Sequence, residues 1–287
     1  MKVSVITPSY NQGQFIERTL QSVANQRSQD FELEHVVFDG GSIDDTVSIL
    51  RRFVHPIRWV SKPDKGQTNA VNMGISATDG EIIGWLNSDD IYYPNAIALV
   101  VKYFIEHPDV DVVYGQADHM DEDDFVFESY PTESWDFERL KETCFICQPA
   151  LFFRRRVVGE NDLLDESLDF CMDYEYWLRL GKAGVKFAYL DERLAGSRLY
   201  PANKTLGNRV RVHKEINDAM KRLFVRVPDR WLINYAHAVT EKKISKNNSP
   251  KTFIVCVSLF SVFSSFYWNK KISREMLKTL HCWIRSI

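Results

Sequence analysis

Cysteine is scarce and odd in number, five in 287 residues. A disulfide framework is therefore excluded, and a reducing compartment is expected. Cys144 and Cys147 form a C-x-x-C pair, but no second pair follows at zinc-site spacing. "CFIC" is as apolar as a buried strand, so plain buried thiols are expected there. Basic excess is also missing: 36 Lys and Arg face 39 Asp and Glu, leaving a net charge of -3. That balance gives no electrostatic case for nucleic acid as a partner. Neither G-x-G-x-x-G nor G-x-x-x-x-G-K-[ST] follows the first strand-like run, which argues against a dehydrogenase and an NTPase. The opening "MKVSVITPSYNQ" reaches Pro8 too soon for a secretory signal, so a cytoplasmic protein is expected. Internal repeats, low-complexity tracts and a dense His/Cys cage are absent too, and scattered histidines such as His213 are expected to have no catalytic task.

Hydrophobic residues make up 45% of the chain and charged residues 26%, ordinary values for a protein that buries a real core. Over the first hundred residues, strand-like and helix-like patterns alternate. Runs at 3–7, 34–41, 57–61, 81–87 and 109–115 read as strands. Between them, "FIERTLQSVANQ" places Phe15, Ile16, Leu20 and Val23 at helical spacing, and 46–53, 68–77 and 94–104 read as further helices. Ser42, three residues before Asp45, predicts a helix N-cap ahead of "TVSILRRF". This alternation implies an α/β fold with a largely parallel sheet covered on both faces. Later, 118–143 with "HMDEDDF" reads as a hairpin or flexible insertion, 149–158 as a strand turning basic, and 169–184 as a helix. Basic helical segments fill the chain from Asn203 onward, with Pro228 breaking one of them.

In such sheets a ligand binds beyond the carboxyl ends of the strands. Those tails are Thr7-Pro8-Ser9-Tyr10, Asp39-Gly40-Gly41, Ser61-Lys62-Pro63-Asp64-Lys65-Gly66 and Asn87-Ser88-Asp89-Asp90, so polar and acidic groups gather on one rim. Adjacent carboxylates at the end of a buried strand repel each other. They become favourable by sharing a hard divalent cation, Mn²⁺ or Mg²⁺, whose remaining positions a phosphate-bearing substrate completes. Alone, Asp-Asp is more often a solvated turn. Asp39 and Asp64 likewise make ordinary turn acids.

Five ordered blocks change that weighting. "VSVITPSYNQGQFIERTLQSVANQ", "EHVVFDGGSIDDT", "SKPDKGQTNAVNMGI", "GEIIGWLNSDD" and "MDYEYWLRLGKAG" together resemble the inverting family 2 glycosyltransferases over roughly residues 2–200. The resemblance implies the GT-A fold, a Rossmann-like three-layer α/β/α sandwich with a mostly parallel central sheet, spanning 1–205. Its nucleotide-sugar half would be 1–115 and its acceptor and catalytic-base half 116–205, with a helical C-terminal extension over 206–287. It further implies that Thr7, Pro8 and Tyr10 line the base and ribose of a nucleotide-sugar and that Asp39 reads a uracil N–H. Asp64, Lys65 and Asn69 would contact base or phosphates, Ser88 and Asp89 would bind the donor, and Asp90 would ligate the metal on the diphosphate. Asp173 would be the general base, and Gln148 would face the acceptor.

Three positions depart from the family pattern. Met172 stands where relatives carry a glutamate, Tyr200 replaces a histidine of the R-x-H-x-x-S-K-T pattern, and Asn203 replaces its serine, while Arg198 and Lys204 remain to hold diphosphate oxygens. Glu175 is the alternative base, although two residues along a helix turns it to another face. Trp85 and Trp177 are expected in the core. The implied activity is transfer of a sugar from a UDP-sugar to an acceptor hydroxyl, saccharide or lipid-linked, in bacterial cell-surface polysaccharide or glycolipid synthesis. A sugar-phosphate nucleotidyltransferase would open with a glycine- and arginine-rich loop, which "TPSYNQGQF" is not. A non-catalytic scaffold would not be expected to keep both the metal and base carboxylates.

The stretch "TFIVCVSLFSVFSSFYW" (252–268) is apolar or hydroxylic throughout and flanked by Lys251, Lys270 and Lys271. Its 17 residues sit at the lower limit for a membrane span, and its serines weaken that reading. A helix packed on the protein and a helix lying peripherally at the inner membrane are the favoured readings.

Overall fold

A computed structural model of the chain describes residues 1–285. By internal packing it divides into two compact units: Met1–Phe137 with Cys144–Tyr200, and Glu138–Thr143 with the chain from Pro201 onward.

The first unit carries β1 (Lys2–Ser9), α1 (Ile16–Ala24), β2 (Glu32–Asp39), α2 (Thr46–Arg52), β3 (Arg58–Ser61), α3 (Gln67–Ser76) and β4 (Ile82–Trp85) as a regular alternation. Then follow β5 (Ile91–Tyr92), α4 (Ala96–Glu106), β6 (Val112–Met120) and β7 (Val126–Ser129); next along the chain is α5 (Phe137–Glu142), which from Glu138 onward belongs to the second unit, and the first unit resumes with β8 (Leu151–Arg154), α6 (Arg156–Asn161), α7 (Met172–Lys182) and β9 (Phe187–Arg198). The sheet runs β3-β2-β1-β4-β8-β6-β9-β5, with β7 added to β6. Its first four strands are parallel, so their carboxyl ends share one edge. Antiparallel pairing enters at β8, which joins β4 to β6, and β6 and β9 are again parallel.

Alternation along β1 sends Val3 and Val5 into one core with Val23 of α1 and Ile97, Val100 and Phe104 of α4. Ile6 points the other way, onto α3. A Cβ on Gly74 would come within 2.3 Å of the Ile6 side chain, so only glycine lets this helix lie so close to the strand. Two apolar faces on one sheet give the three layers. Trp85 and Trp177 are buried, as expected.

Two expectations shift and one holds. Residues 149–158 are not one strand: β8 ends at Arg154, and Arg155 and Arg156 begin a helical turn. That basic run is used internally. Arg155 donates to the carbonyls of Gly80 (2.7 Å) and Ile75 (2.8 Å), and Arg154 to those of Phe104 (2.7 Å) and Val110 (2.9 Å). Ser42 is not the cap of α2, which starts at Thr46, whose N–H bonds the Asp44 carboxylate at 3.0 Å. Residues 118–129 do form a hairpin, the outer parts of β6 and β7.

In the second unit, α8 (Arg209–Leu223), α9 (Asp229–Glu241), α10 (Pro250–Asn269) and α11 (Arg274–Arg285) pack as helices. Ala236, Phe253 and Val257 form an apolar core, and Trp268 donates to Asp218 at 2.8 Å. Burial against Trp231 pushes His213 down to about 4, so it is neutral and structural. α10 is long and apolar enough to cross a membrane. Its polarity is inverted, however. Ser258, Ser261, Ser264 and Ser265 are buried, the first three bonding carbonyls one turn back at 2.8 Å. Val255, Leu259, Phe263, Phe266 and Tyr267 are exposed.

Candidate functional site

The loop after β2 is latched to the loop after β1. Ser42 Oγ accepts the Asn11 N–H (2.7 Å), Asn11 Oδ1 accepts that of Ile43 (3.0 Å), Thr46 Oγ1 that of Gln12 (2.9 Å) and Asp44 Oδ2 that of Gly13 (2.9 Å). The polar residues of "DGGSIDDT" thus satisfy the backbone N–H groups that enter α1, which would otherwise go unpaired. Asp39 closes the same loop. Its carboxylate is 2% exposed and accepts from the Ser61 hydroxyl (2.6 Å), the Ser42 N–H (2.9 Å) and the Ser42 hydroxyl.

Gly40 is the pinch point of this rim. A Cβ there would stand 3.2 Å from Asp64 Oδ2 and 3.3 Å from the Tyr10 ring, so the tails of β1, β2 and β3 meet at one glycine. Tyr10 is 60% exposed, a free aromatic face beside two carboxylates. Asp64 accepts the Gly66 N–H at 2.7 Å, and Gly66, at φ 108, opens α3.

The acidic loop after β4 is held from four directions. Thr19 of α1 donates its hydroxyl to the Ser88 (2.9 Å) and Asp90 (2.8 Å) carbonyls. Asn87 donates to Asp90 Oδ2 (3.3 Å) and to Gln148 Oε1 (2.9 Å), and Gln148 in turn donates to the Trp85 carbonyl (2.7 Å). From β9, the Arg198 N–H reaches Asp90 Oδ1 at 3.0 Å and its guanidinium reaches the Asp89 carbonyl. Tyr200 donates its hydroxyl to Asp89 Oδ2 at 3.0 Å and packs its ring on Phe15. The Arg198 side chain is fully buried and ion-paired with Asp124 at the tip of the β6–β7 hairpin. Arg18 pairs with Asp124 from the other side at 2.9 Å.

Burial, reinforced by the neighbouring Asp89, pushes the Asp90 carboxyl up to about 8. Burial pushes Asp89 upward as well, against the Tyr200 hydrogen bond. The fixed groups of the fold therefore do not neutralise the pair. Among the described residues no cluster of three or more His, Cys, Asp or Glu side chains could hold a metal alone. Two carboxylates of hard oxygen character, short of positive charge and of further protein ligands, fit a divalent cation that a diphosphate completes.

Asp173 lies in the first turn of α7 and is partly open. Burial pushes the Cys147 thiol well up, and the charges of Asp90 and Asp173 add to that rise. Glu175 is 4% exposed and bound to Arg179 at 3.2 Å. That pairing takes it out of contention as a base. Met172 is buried, so the departure from the family's glutamate fills core rather than site. Cys144 and Cys147 are free thiols, and burial pushes Cys144 up to about 12.

The structure brings Tyr10, Asp39, Asp64, Asp89 and Asp90 to one edge, with Pro8 and Ser88 buried beside it, and Asp173 stands in the first turn of α7. Other expected positions come out differently. Thr7 faces inward, 2.9 Å from His35, because strand alternation turns it from the rim occupied by Tyr10. The guanidinium of Arg198 is enclosed behind the acidic loop rather than presented to phosphate. Both ends of the Gln148 amide are engaged in positioning Asn87, so it does not face an acceptor. Asn69 ties the Lys65 N–H (3.4 Å) to Glu166 (3.0 Å). Lys204 belongs to the second unit. Sequence reasoning placed Asn87 on the rim without a role and missed Thr19 and Asp124. The only available signal was the acid run "HMDEDDF", and its buried partner Arg198 stands 74 positions away.

The chain belongs to glycosyl transferase family 2: residues 4–161, more than half of it, match the model of that family. It is 28% identical over 233 residues to a chondroitin synthase of Escherichia coli, covering 78% of this chain and 33% of that protein. It is also 28% identical over 235 residues to a hyaluronan synthase of Pasteurella multocida, covering 80% of this chain and 22% of that one. The chain thus spans a third or less of the length of these relatives. Among solved structures it resembles S. aureus TarS in complex with UDP-GlcNAc, with a TM-score of 0.62 at 19% identity over 91% of this chain and 80% of that one. It also resembles the mannosyltransferase PcManGT from Pyrobaculum calidifontis in complex with GDP-Man and Mn²⁺, at 0.62 and 18% over 98% and 78%. These likenesses establish the GT-A fold, and the family establishes a transferase.

Proposed function

We propose that this glycosyltransferase moves one sugar from a UDP-sugar to an acceptor hydroxyl with inversion, in the synthesis of a cell-surface polysaccharide or glycolipid. The observation that supports the reading is the gathering of Tyr10, Asp39, Asp64, Asp89 and Asp90 on the loops at the carboxyl ends of the parallel strands, with Asp173 in the first turn of α7. Tyr10 offers a face for the nucleobase, and Asp39 and Asp64 offer acceptors for its N–H and for ribose hydroxyls. Asp90, with Asp89, would hold Mn²⁺ or Mg²⁺, which when bound offsets charge on the departing diphosphate. Asp173 takes the proton from the acceptor hydroxyl. That oxygen bonds to the anomeric carbon as the bond to diphosphate oxygen breaks on the opposite face, which inverts the configuration. Arg198, Gln148, Asn87 and Thr19 hold the acidic loop in place for this chemistry.

Calorimetry with UDP, GDP and dTDP, with and without Mn²⁺, tests the reading. Metal-enhanced binding of UDP, with slow hydrolysis of a UDP-sugar, is the expected result. UDP affinity indifferent to Mn²⁺, or a preference for GDP, would overturn the metal or the base assignment respectively.

The second unit supports a place at the cytoplasmic face of a membrane. On α10 the serines turn inward while Val255, Leu259, Phe263 and Phe266 form an exposed stripe at spacings of three and four residues. Val255 and Leu259, with Leu277 and Ile284 of α11, line an open groove of about 570 Å³. Lys251, Lys270, Lys271, Arg274 and Lys278 stand along these helices, as an anionic lipid surface requires.

A further inference from the structure

The mechanism leaves one feature of the first unit unused: the exposed strand β7, whose Phe125, Val126 and Phe127 are 72%, 50% and 55% exposed. It is tied to the site at both ends. At its start, Asp124 binds the buried Arg198 that holds the Asp89 carbonyl. At its finish, the Tyr130 hydroxyl donates to the Cys144 carbonyl at 3.1 Å, in the segment that leads to Gln148 and its bond from Asn87. Both ends of the strand are therefore anchored to segments that hold the acidic loop.

Its geometry is irregular in a useful place. The pairing with β6 slips between His119 and Met120, so Phe127 is an extra residue with no partner of its own. Such a bulge re-aims a side chain, and here it lets two consecutive residues flank one histidine. Phe127 stacks on the His119 ring (centroids 6.2 Å, 29°), while Glu128 bonds His119 Nδ1 at 2.8 Å. The Tyr130 ring meets His119 edge-on at 5.3 Å. His119 is paired in register with Ser197, the residue before Arg198, whose N–H holds Asp90. The aromatic row thus lies on the strand pair that seats the acidic loop.

We propose that Phe127, His119 and Glu128 form the acceptor platform and that its ligand is an uncharged saccharide. This rests on Asp173 as the base. A pyranose has an apolar face that packs on an exposed ring, and equatorial hydroxyls that the Glu128 carboxylate and the imidazole can bond. A lipid tail laid over the same row would strip water from Glu128 and His119 without replacing their hydrogen bonds. A polyanionic saccharide would meet Asp121, Glu122, Asp123 and Glu128, four carboxylates along the same hairpin.

The test uses the full chain, saturated with UDP and Mg²⁺ for saturation-transfer NMR and supplied with a UDP-sugar and Mn²⁺ for transfer kinetics. Both are read with neutral glucose and N-acetylglucosamine oligosaccharides, uronic-acid oligosaccharides and anionic phospholipid vesicles. Neutral oligosaccharides should bind, and Phe127→Ala should weaken them tenfold or more in KM with UDP affinity within twofold. Phe127→Tyr should restore binding, which a folding defect would not allow. Glu128→Gln should narrow the preference for neutral over uronic-acid chains. Tighter binding of uronic acids, no saccharide binding, loss of vesicle or self-association by Phe127→Ala, or an unchanged KM would overturn the platform. Failure of UDP to bind at all, or full turnover in Asp173→Asn, would instead overturn the underlying reading of the site.

Discussion

Replacing Asp124 by asparagine removes one negative charge from a position far outside any recognisable motif, and the structure predicts a large effect. Arg198 has a side chain 0% exposed, while that of Asp124 is 33% exposed. Breaking a buried ion pair by removing one partner costs about 3–5 kcal/mol, most of it the stranded charge. Two features lower the figure here. Water reaches Asp124, and Arg198 keeps the Asp89 carbonyl and the Phe15 ring, 5.1 Å away. A loss of about 2–3 kcal/mol is therefore expected, roughly 30- to 140-fold in the folding equilibrium. Urea unfolding followed by near-UV circular dichroism measures it, with Glu122→Gln as the control expected within about 0.5 kcal/mol. Adding Arg198→Met to Asp124→Asn should recover part of the loss, because it removes the stranded charge. UDP affinity in Mn²⁺ should fall in the single variant, since Arg198 seats both acids of the loop. An Asp124→Asn protein as stable as the parent, or a double variant whose losses simply add, would refute this account of why the acidic loop stays in place.

Three further outcomes follow from the same geometry. Asp90, raised in the fold to about 8 from an ordinary 3.8, contributes stability that is fully present below the lower value and is lost as pH rises through the upper one. Without metal the melting temperature should decline from pH 6 to pH 9, with Mn²⁺ flattening the decline and Asp90→Asn abolishing it; a flat metal-free profile in the parent would contradict the assignment. Asp173→Asn should cut turnover roughly a hundredfold or more at unchanged UDP affinity, whereas Glu175→Gln should cost stability by about 1–3 kcal/mol and leave most turnover. Equal kinetic loss in both would reassign the base. Finally, the parent should co-sediment with anionic vesicles and Phe263→Ser/Phe266→Ser should not; if those changes dissolve a dimer instead, the stripe is a protein interface.

Much of the catalytic half was legible beforehand because its signals are local. Alternating apolar runs marked the strands, and glycines and acids at their ends marked the rim, since a parallel sheet puts all those ends on one edge. "DGGSIDDT" was legible for a related reason: Asp39, Ser42, Asp44 and Thr46 each answer a backbone group within the same pair of loops. Ser42 was misread because an acid nearer the helix, Asp44, takes the role a cap residue would have.

What the linear chain determined, then, is the order of elements and which of them end in carboxylates. Periodicity and turn chemistry act between residues a few positions apart, and those distances are visible in a string of letters. Only the tertiary structure decided what surrounds those carboxylates. Folding enclosed Arg198 with Asp124, turned Thr7 away from the rim, spent Gln148 on Asn87 and bound Glu175 to Arg179. It also turned the serines of α10 inward. Burial and long-range pairing set each of these outcomes, and both depend on which elements meet across the fold.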